Sequence, residues 1–126
     1  MQYLLMIYDE DKVWEKMPEA ERNAVYAEYG AYTTALQESG ALLGANQLQP
    51  TQTAKTVRAD NGQKVVTDGP FAETKEQLGG YYLVDAESLD AAVAWAHKLE
   101  PVADGSIEVR PVMEHIAVDS PPARSS

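Results

Sequence analysis

Gln2-Tyr3-Leu4-Leu5-Met6-Ile7-Tyr8 carries apolar side chains on both of its alternating sets, Tyr3, Leu5 and Ile7 on one and Leu4, Met6 and Tyr8 on the other. In a strand these sets point to opposite faces, and a strand that is apolar on both is normally covered on both. Helices are expected to supply one cover. The other must come from a second subunit or from the contents of a pocket.

Working outward, Asp9 to Lys16 reads as a charged connection. A helix is expected over Pro18–Ser39, with Pro18 at its first position and Glu19 and Glu21 near the positive end of its dipole. Val25, Tyr29, Tyr32 and Leu36 make one apolar seam on it, and Gly40 is the expected stop. Ala41 to Leu48 reads as a strand, interrupted by Pro50. Thr53 to Ala59 and Gln63 to Thr67 flank Asp60-Asn61-Gly62, the arrangement of a half-exposed hairpin whose turn tolerates positive φ. Leu78 to Val84 reads as a further strand, in which the pair Gly79-Gly80 predicts a bulge or a close approach by another backbone or a ligand.

Ser88 is a good N-cap for a second helix, with Asp90 in its first turn and Leu89, Ala92, Val93, Ala96 and Leu99 as its buried stripe. Pro101 is its expected end. Ile107 to Met113 is the last strand, with Pro111 suited to an edge. The order is strand, helix, strand, hairpin, strand, helix, strand. With the hairpin set aside, this is the βαββαβ pattern of a ferredoxin-like α+β sandwich, helices on one face of an antiparallel sheet. A homodimer packed sheet against sheet would cover the bare face and form a dimeric α+β barrel with a cavity between the sheets.

Composition narrows the function classes. The 126 residues are 44% hydrophobic and 24% charged, a globular balance that fits one domain, here residues 1–116, followed by a flexible tail over 117–126. The chain has no cysteine, which excludes disulfides, thiol catalysis and Cys-based metal sites and is compatible with the cytoplasm. A net charge of -10 with scattered basic residues argues against nucleic-acid binding. The N-terminal apolar run is too short to span a bilayer and has no basic leader, so no membrane association is expected.

The segment Asp68-Gly69-Pro70-Phe71-Ala72-Glu73-Thr74-Lys75-Glu76, followed by Gln77-Leu78-Gly79-Gly80-Tyr81-Tyr82, resembles the signature of the DGPFAETKE family, a branch of the YCII-related proteins with the DGPF domain. Leu48-Gln49-Pro50, Thr56-Val57-Arg58 and Ile107-Glu108-Val109-Arg110-Pro111 agree with it, and the resemblance covers everything but the tail. It implies a ferredoxin-like fold that dimerises into an α+β barrel. Within the wider superfamily of such barrels are isomerases, monooxygenases and dehalogenating enzymes, and members of this branch are often encoded beside extracytoplasmic-function sigma factors. Some YCII-related proteins carry a His–Asp pair linked to enzymatic activity. The helix over Pro18–Ser39 contains no histidine, so that pair does not carry over.

Two readings of the signature stand side by side. As a site, Asp68, Glu73 and Glu76 serve as acid or base and Lys75 stabilises negative charge or binds an anion. As structure, Asp68-Gly69-Pro70 is turn chemistry and Phe71 anchors the loop in the core. Arg58 and Arg110 can clamp a carboxylate, pair with Glu73 or Glu108, or face water. Tyr8, among the seven tyrosines, belongs either to a partly polar pocket, together with Phe71, or to dimer packing. Trp14 and Trp95 read as packing residues. His97 and His115 are far apart and not ligand-spaced, so no metal is expected; with neither a phosphate loop nor a dinucleotide fingerprint, no organic cofactor is expected.

Three functions compete. One is a cofactor-independent acid/base enzyme that binds a polar small molecule between sheet and helices. Another is a non-catalytic ligand-binding or regulatory module associated with an extracytoplasmic-function sigma factor system. The third is an interaction protein whose signature only organises a loop and the dimer. The first requires Asp68, Glu73 and Lys75 to converge on a cavity.

Overall fold

The computed structural model describes residues 1–72, 74–99 and 105–114. Strand β1 (Gln2–Asp9) is central, as its two apolar faces require, in a four-stranded antiparallel sheet of order β2-β5-β1-β6. Its neighbours are β5 (Gln77–Asp85) and β6 (Ser106–Pro111), with β2 (Leu42–Gln47) on the outer side of β5. Pro111 ends the edge strand β6, where a residue without an N–H costs the ladder nothing. This strand order with two long helices on one face fits a ferredoxin-like α+β fold.

Helix α2 (Glu19–Ser39) and helix α3 (Leu89–His97) supply that cover. Tyr3, Leu5 and Ile7 of β1 and Tyr82 and Val84 of β5 are buried against Tyr32 and Leu36 of α2 and Ala92 of α3. Leu5, Leu36 and Val84 are sealed from solvent, each contributing about 1.5–3 kcal/mol of apolar burial. The α2 seam is as expected, half-buried at Val25 and Tyr29 and buried at Tyr32 and Leu36. Pro18 is the N-cap rather than the first helical residue, and the helix stops at Gly40, whose N–H donates to the carbonyls of Gln37 and Leu36. In α3 the Ser88 hydroxyl accepts from the Ala91 N–H at 3.1 Å, closing the first turn.

Several expectations need correction. Asp11–Lys16 is not a plain connection but a short helix, α1, too brief to show a periodic stripe. Leu89 is 45% exposed, and Trp95 takes its place on the core, edge-on to Tyr32, whose hydroxyl donates to the Trp95 carbonyl at 2.8 Å. The hairpin of β3 (Lys55–Asp60) and β4 (Gln63–Asp68) forms a separate two-stranded sheet. Its Asn61-Gly62 turn is the expected one, with φ of 50° and 80°, but β4 is exposed along its whole length. Pro101, His115 and the tail at 117–126 lie outside the described residues.

Candidate functional site

The Gly79-Gly80 pair does both things expected of it. The β1–β5 register runs from Ile7 opposite Gly80 to Tyr8 opposite Leu78, leaving Gly79 as the extra residue of a bulge. Gly80 lies against β2 so closely that a Cβ there would sit 3.1 Å from the Asn46 carbonyl oxygen. A Cβ on Gly79 would meet Asp9 Oδ2 at 3.5 Å. Gly79 therefore presents bare backbone toward the end of β1, while the space a Gly80 side chain would need is filled by β2.

Above this bare backbone lies a cavity of about 580 Å³. Its floor is β5 around the bulge, one wall is Trp14 of α1 with Tyr26 and Tyr29 of α2, and the other is the segment from Ala45 to Pro50. Trp14 and Tyr26 meet edge to face, ring centroids 5.3 Å apart at 83°. Asp9 enters from the end of β1, with Oδ1 withdrawn from solvent. The Thr33 hydroxyl reaches the Tyr29 carbonyl at 2.7 Å and lies 2.8 Å from the Tyr82 hydroxyl. Asp11 fixes the far wall, accepting from both the N–H and the hydroxyl of Thr51.

The charged side chains that line the cavity are acidic. Asp9, Glu10, Asp11 and Glu15 line the cavity, whereas no lysine, arginine or histidine among the described residues does. The Tyr29 phenol is pushed up to about 12, first by burial and then by the Asp9 carboxylate, which disfavours a second negative charge beside it. Tyr29 is thus a neutral phenol at ordinary pH. Burial raises the Tyr32 phenol as well.

Residues 1–116, a stretch containing every element of this cavity, match the model of the YCII-related domain. The chain belongs to the YCII-related family. It is also 40% identical over 114 residues to an uncharacterized protein of Rhizobium meliloti (strain 1021), covering 89% of this chain and 92% of that one.

In this YCII-related domain the residues singled out from sequence are dispersed. Lys75 is on the cavity rim, its ammonium 3.1 Å from Glu10. Asp68 is exposed at the end of β4 and pairs with Lys55 at 2.5 Å, outside the cavity lining. Glu73 lies outside the described residues. Phe71 is 77% exposed, so it does not anchor the loop in the core; the Arg58 guanidinium stands 5.9 Å from its ring centroid. Arg110 pairs with Glu108, two residues away on the same strand rather than across the sheet. Tyr8 faces away from the helices, its hydroxyl 3.8 Å from the Met6 sulfur.

The turn chemistry of the signature is plain in its hydrogen bonds. Gly69 takes φ of 92°, its N–H donates to the Ala54 carbonyl at 2.8 Å, and its own carbonyl accepts from the Thr56 hydroxyl. Gln77 Nε2 then donates to the carbonyls of Ala72 at 2.7 Å and Thr74 at 3.0 Å, gathering the loop in front of β5. Asp9, Trp14, Tyr26 and Thr33 also line the cavity, and no sequence pattern marks them for it. Two sequence signals point here, the glycine pair and the tyrosines, of which Tyr29, Tyr81 and Tyr82 line the cavity.

Proposed function

We propose that this YCII-related domain binds a polar small molecule in the cavity between α1, α2 and the bulged part of the sheet. The observation that carries the reading is the coincidence of bare backbone at Gly79 with polar groups from Asp9, Tyr29, Thr33 and Tyr82 around one cavity. A largely apolar recess with a few convergent polar groups is the usual form of a small-molecule site. Asp9 is the group able to accept a proton and Tyr29 the one able to donate a hydrogen bond, which suits cofactor-independent acid/base chemistry. The intact signature over residues 68–76 supports membership of the DGPFAETKE branch. Of its charged residues, Lys75 is assigned to the rim through Glu10; Asp68 is assigned to the turn.

A thermal-shift screen of polar metabolites on the purified chain tests the reading, since a ligand of the folded state raises its melting temperature. Stabilisation that is lost in Asp9→Asn and Tyr29→Phe supports it. A screen without a hit, or hits that ignore both substitutions, overturns it. Glu73→Gln and Lys75→Ala decide whether the signature takes part, because unchanged affinity removes it from the site. Binding without turnover favours the regulatory alternative associated with a sigma-factor system.

The open sheet face supports the homodimer and its barrel. Leu4, Met6, Leu83 and Tyr81 lie opposite the helix-covered side and are half-buried. Leu83→Asp should yield a monomer in light scattering; an unchanged mass, or a monomeric parent, would reject this interface.

A further inference from the structure

Resting on the cavity reading above, we infer that α1 is a hinged lid over the cavity, latched by Asp11 on Thr51 and, more weakly, by Lys75 of the signature on Glu10. The helix has the build of a part that moves separately. It spans six residues, less than two turns, and none of them is fully buried. No side chain caps its N-terminus at Glu10. A helix this short is marginal without tertiary support. Extended residues stand at both ends, Glu10 before it and Met17 and Pro18 between it and α2. Such positions at the ends of elements are where hinges turn.

A few contacts hold α1 down, each to a different part of the chain. The Asp11 carboxylate accepts from the Thr51 N–H at 3.1 Å and from the Thr51 hydroxyl. Trp14 rests edge-on against Tyr26 of α2 and closes one wall of the cavity. Lys75 reaches Glu10 at 3.1 Å, with 85% of its side chain in solvent. Half-buried hydrogen bonds to a charged group outweigh an exposed ion pair, so Asp11 on Thr51 is the main latch. The floor of the cavity has no such freedom, because β5 is paired to both β1 and β2. Local opening follows the parts with few buried apolar contacts, so α1 lifts while the sheet stays folded. Lifting carries Trp14 away from the cavity. The signature then has a use besides its turn: through Lys75 it helps set how often the cavity opens.

Amide hydrogen exchange, followed by NMR on the intact chain without ligand, tests this. The amides of Val13, Trp14 and Met17 bond to carbonyls of Glu10 and Trp14, and should exchange at least about tenfold faster than those of α2 around Leu36. Thr51→Val leaves the sequence of α1 intact and removes the hydroxyl bond. It should speed exchange in α1 about fivefold and leave α2 unchanged. Asp11→Ala should do more, and Lys75→Ala should give about twofold. Access to the cavity is read by a thiol probe, since the chain has no cysteine of its own. Thr33→Cys places one thiol on the cavity wall, and N-ethylmaleimide should label it about fivefold faster when Thr51→Val is added. Labelling that ignores the latch substitutions would mean the cavity is reached without moving α1, and would overturn the lid. So would α1 and α2 exchanging as one unit, or speeding up together in Thr51→Val. Both readouts are made without a ligand, so a blank metabolite screen and a failed lid are separate results.

Discussion

The four-stranded sheet and the β3–β4 hairpin are built from similar strands and held by different forces. In the sheet and its helical cover, Leu5, Val84 and Leu36 lose all contact with water, and β1 is paired on both sides. In the hairpin, Val57 is 60% exposed and Val66, directly opposite it, 59%. Its shape comes from a two-residue Asn61-Gly62 turn, six cross-strand partners and the clasp of Thr56 and Ala54 on Gly69. One region is fixed by burial, which depends on distant parts of the chain. The other is fixed by local backbone geometry. A hairpin of two strands alone is marginal in water, so most of the domain's stability must reside in the sheet and its helices.

This contrast can be attacked from its strong side first. Leu36→Ala empties a sealed position between α2 and β1 and should cost about 2–5 kcal/mol in urea denaturation. A loss below 1 kcal/mol would mean that the helix–sheet layer is not the seat of stability. Gly80→Ala forces a methyl toward the backbone of Asn46 and Gln47, and should cost about 1–3 kcal/mol. Gly79→Ala, whose nearest neighbour is a side-chain oxygen at 3.5 Å, should fold almost normally yet weaken any cavity ligand. If the two glycines behave alike, the close approach of β2 is not what selects them.

Alkaline titration gives a smaller effect. The folded-state Tyr29 value near 12 lies above the ordinary phenol value near 10, so the unfolded chain releases its proton first. Stability from this source is therefore intact below about pH 10 and falls as pH rises toward about 12. The fall is moderate because Tyr29 keeps part of its surface in water. Tyr29→Phe should flatten that limb of the curve; an unaltered slope would dissociate Tyr29 from it.

The hairpin supplies the smallest change. Val66→Ala should alter stability by no more than about 0.5 kcal/mol, as expected for an exposed side chain. A loss well above this that grows on dilution would place the hairpin under a second chain and dissolve the contrast.

The same division separates what was legible in the sequence from what was not. β1, the α2 seam ending at Gly40, the Ser88 cap and the Asn61-Gly62 turn all obey rules spanning fewer than about eight residues, and each is found where the residues put it. Helix α1 escaped because six residues show less than two turns of periodicity. Phe71 was misplaced because hydrophobicity alone does not say whether a loop folds inward. The cavity escaped for a tertiary reason: Asp9, Trp14, Tyr29 and Gly79 are separated in sequence and meet only once α2 lies on the sheet. The charge of Lys75 is legible in the sequence, whereas its contact with Glu10 is not, because no spacing encodes it.

The bulge at Gly79 also sets a rule about chain length. Side-chain direction alternates with a period of two, so one extra residue in β5 reverses the phase of everything on its far side. Removing Gly79 would restore an unbroken ladder and turn Gln77 and the loop that precedes it to the opposite face of the sheet. Substitution at this position changes a contact, whereas deletion changes which way the signature segment leaves the sheet. Relatives that keep the loop in front of the cavity must therefore conserve the count of residues here, even where they do not conserve the glycine.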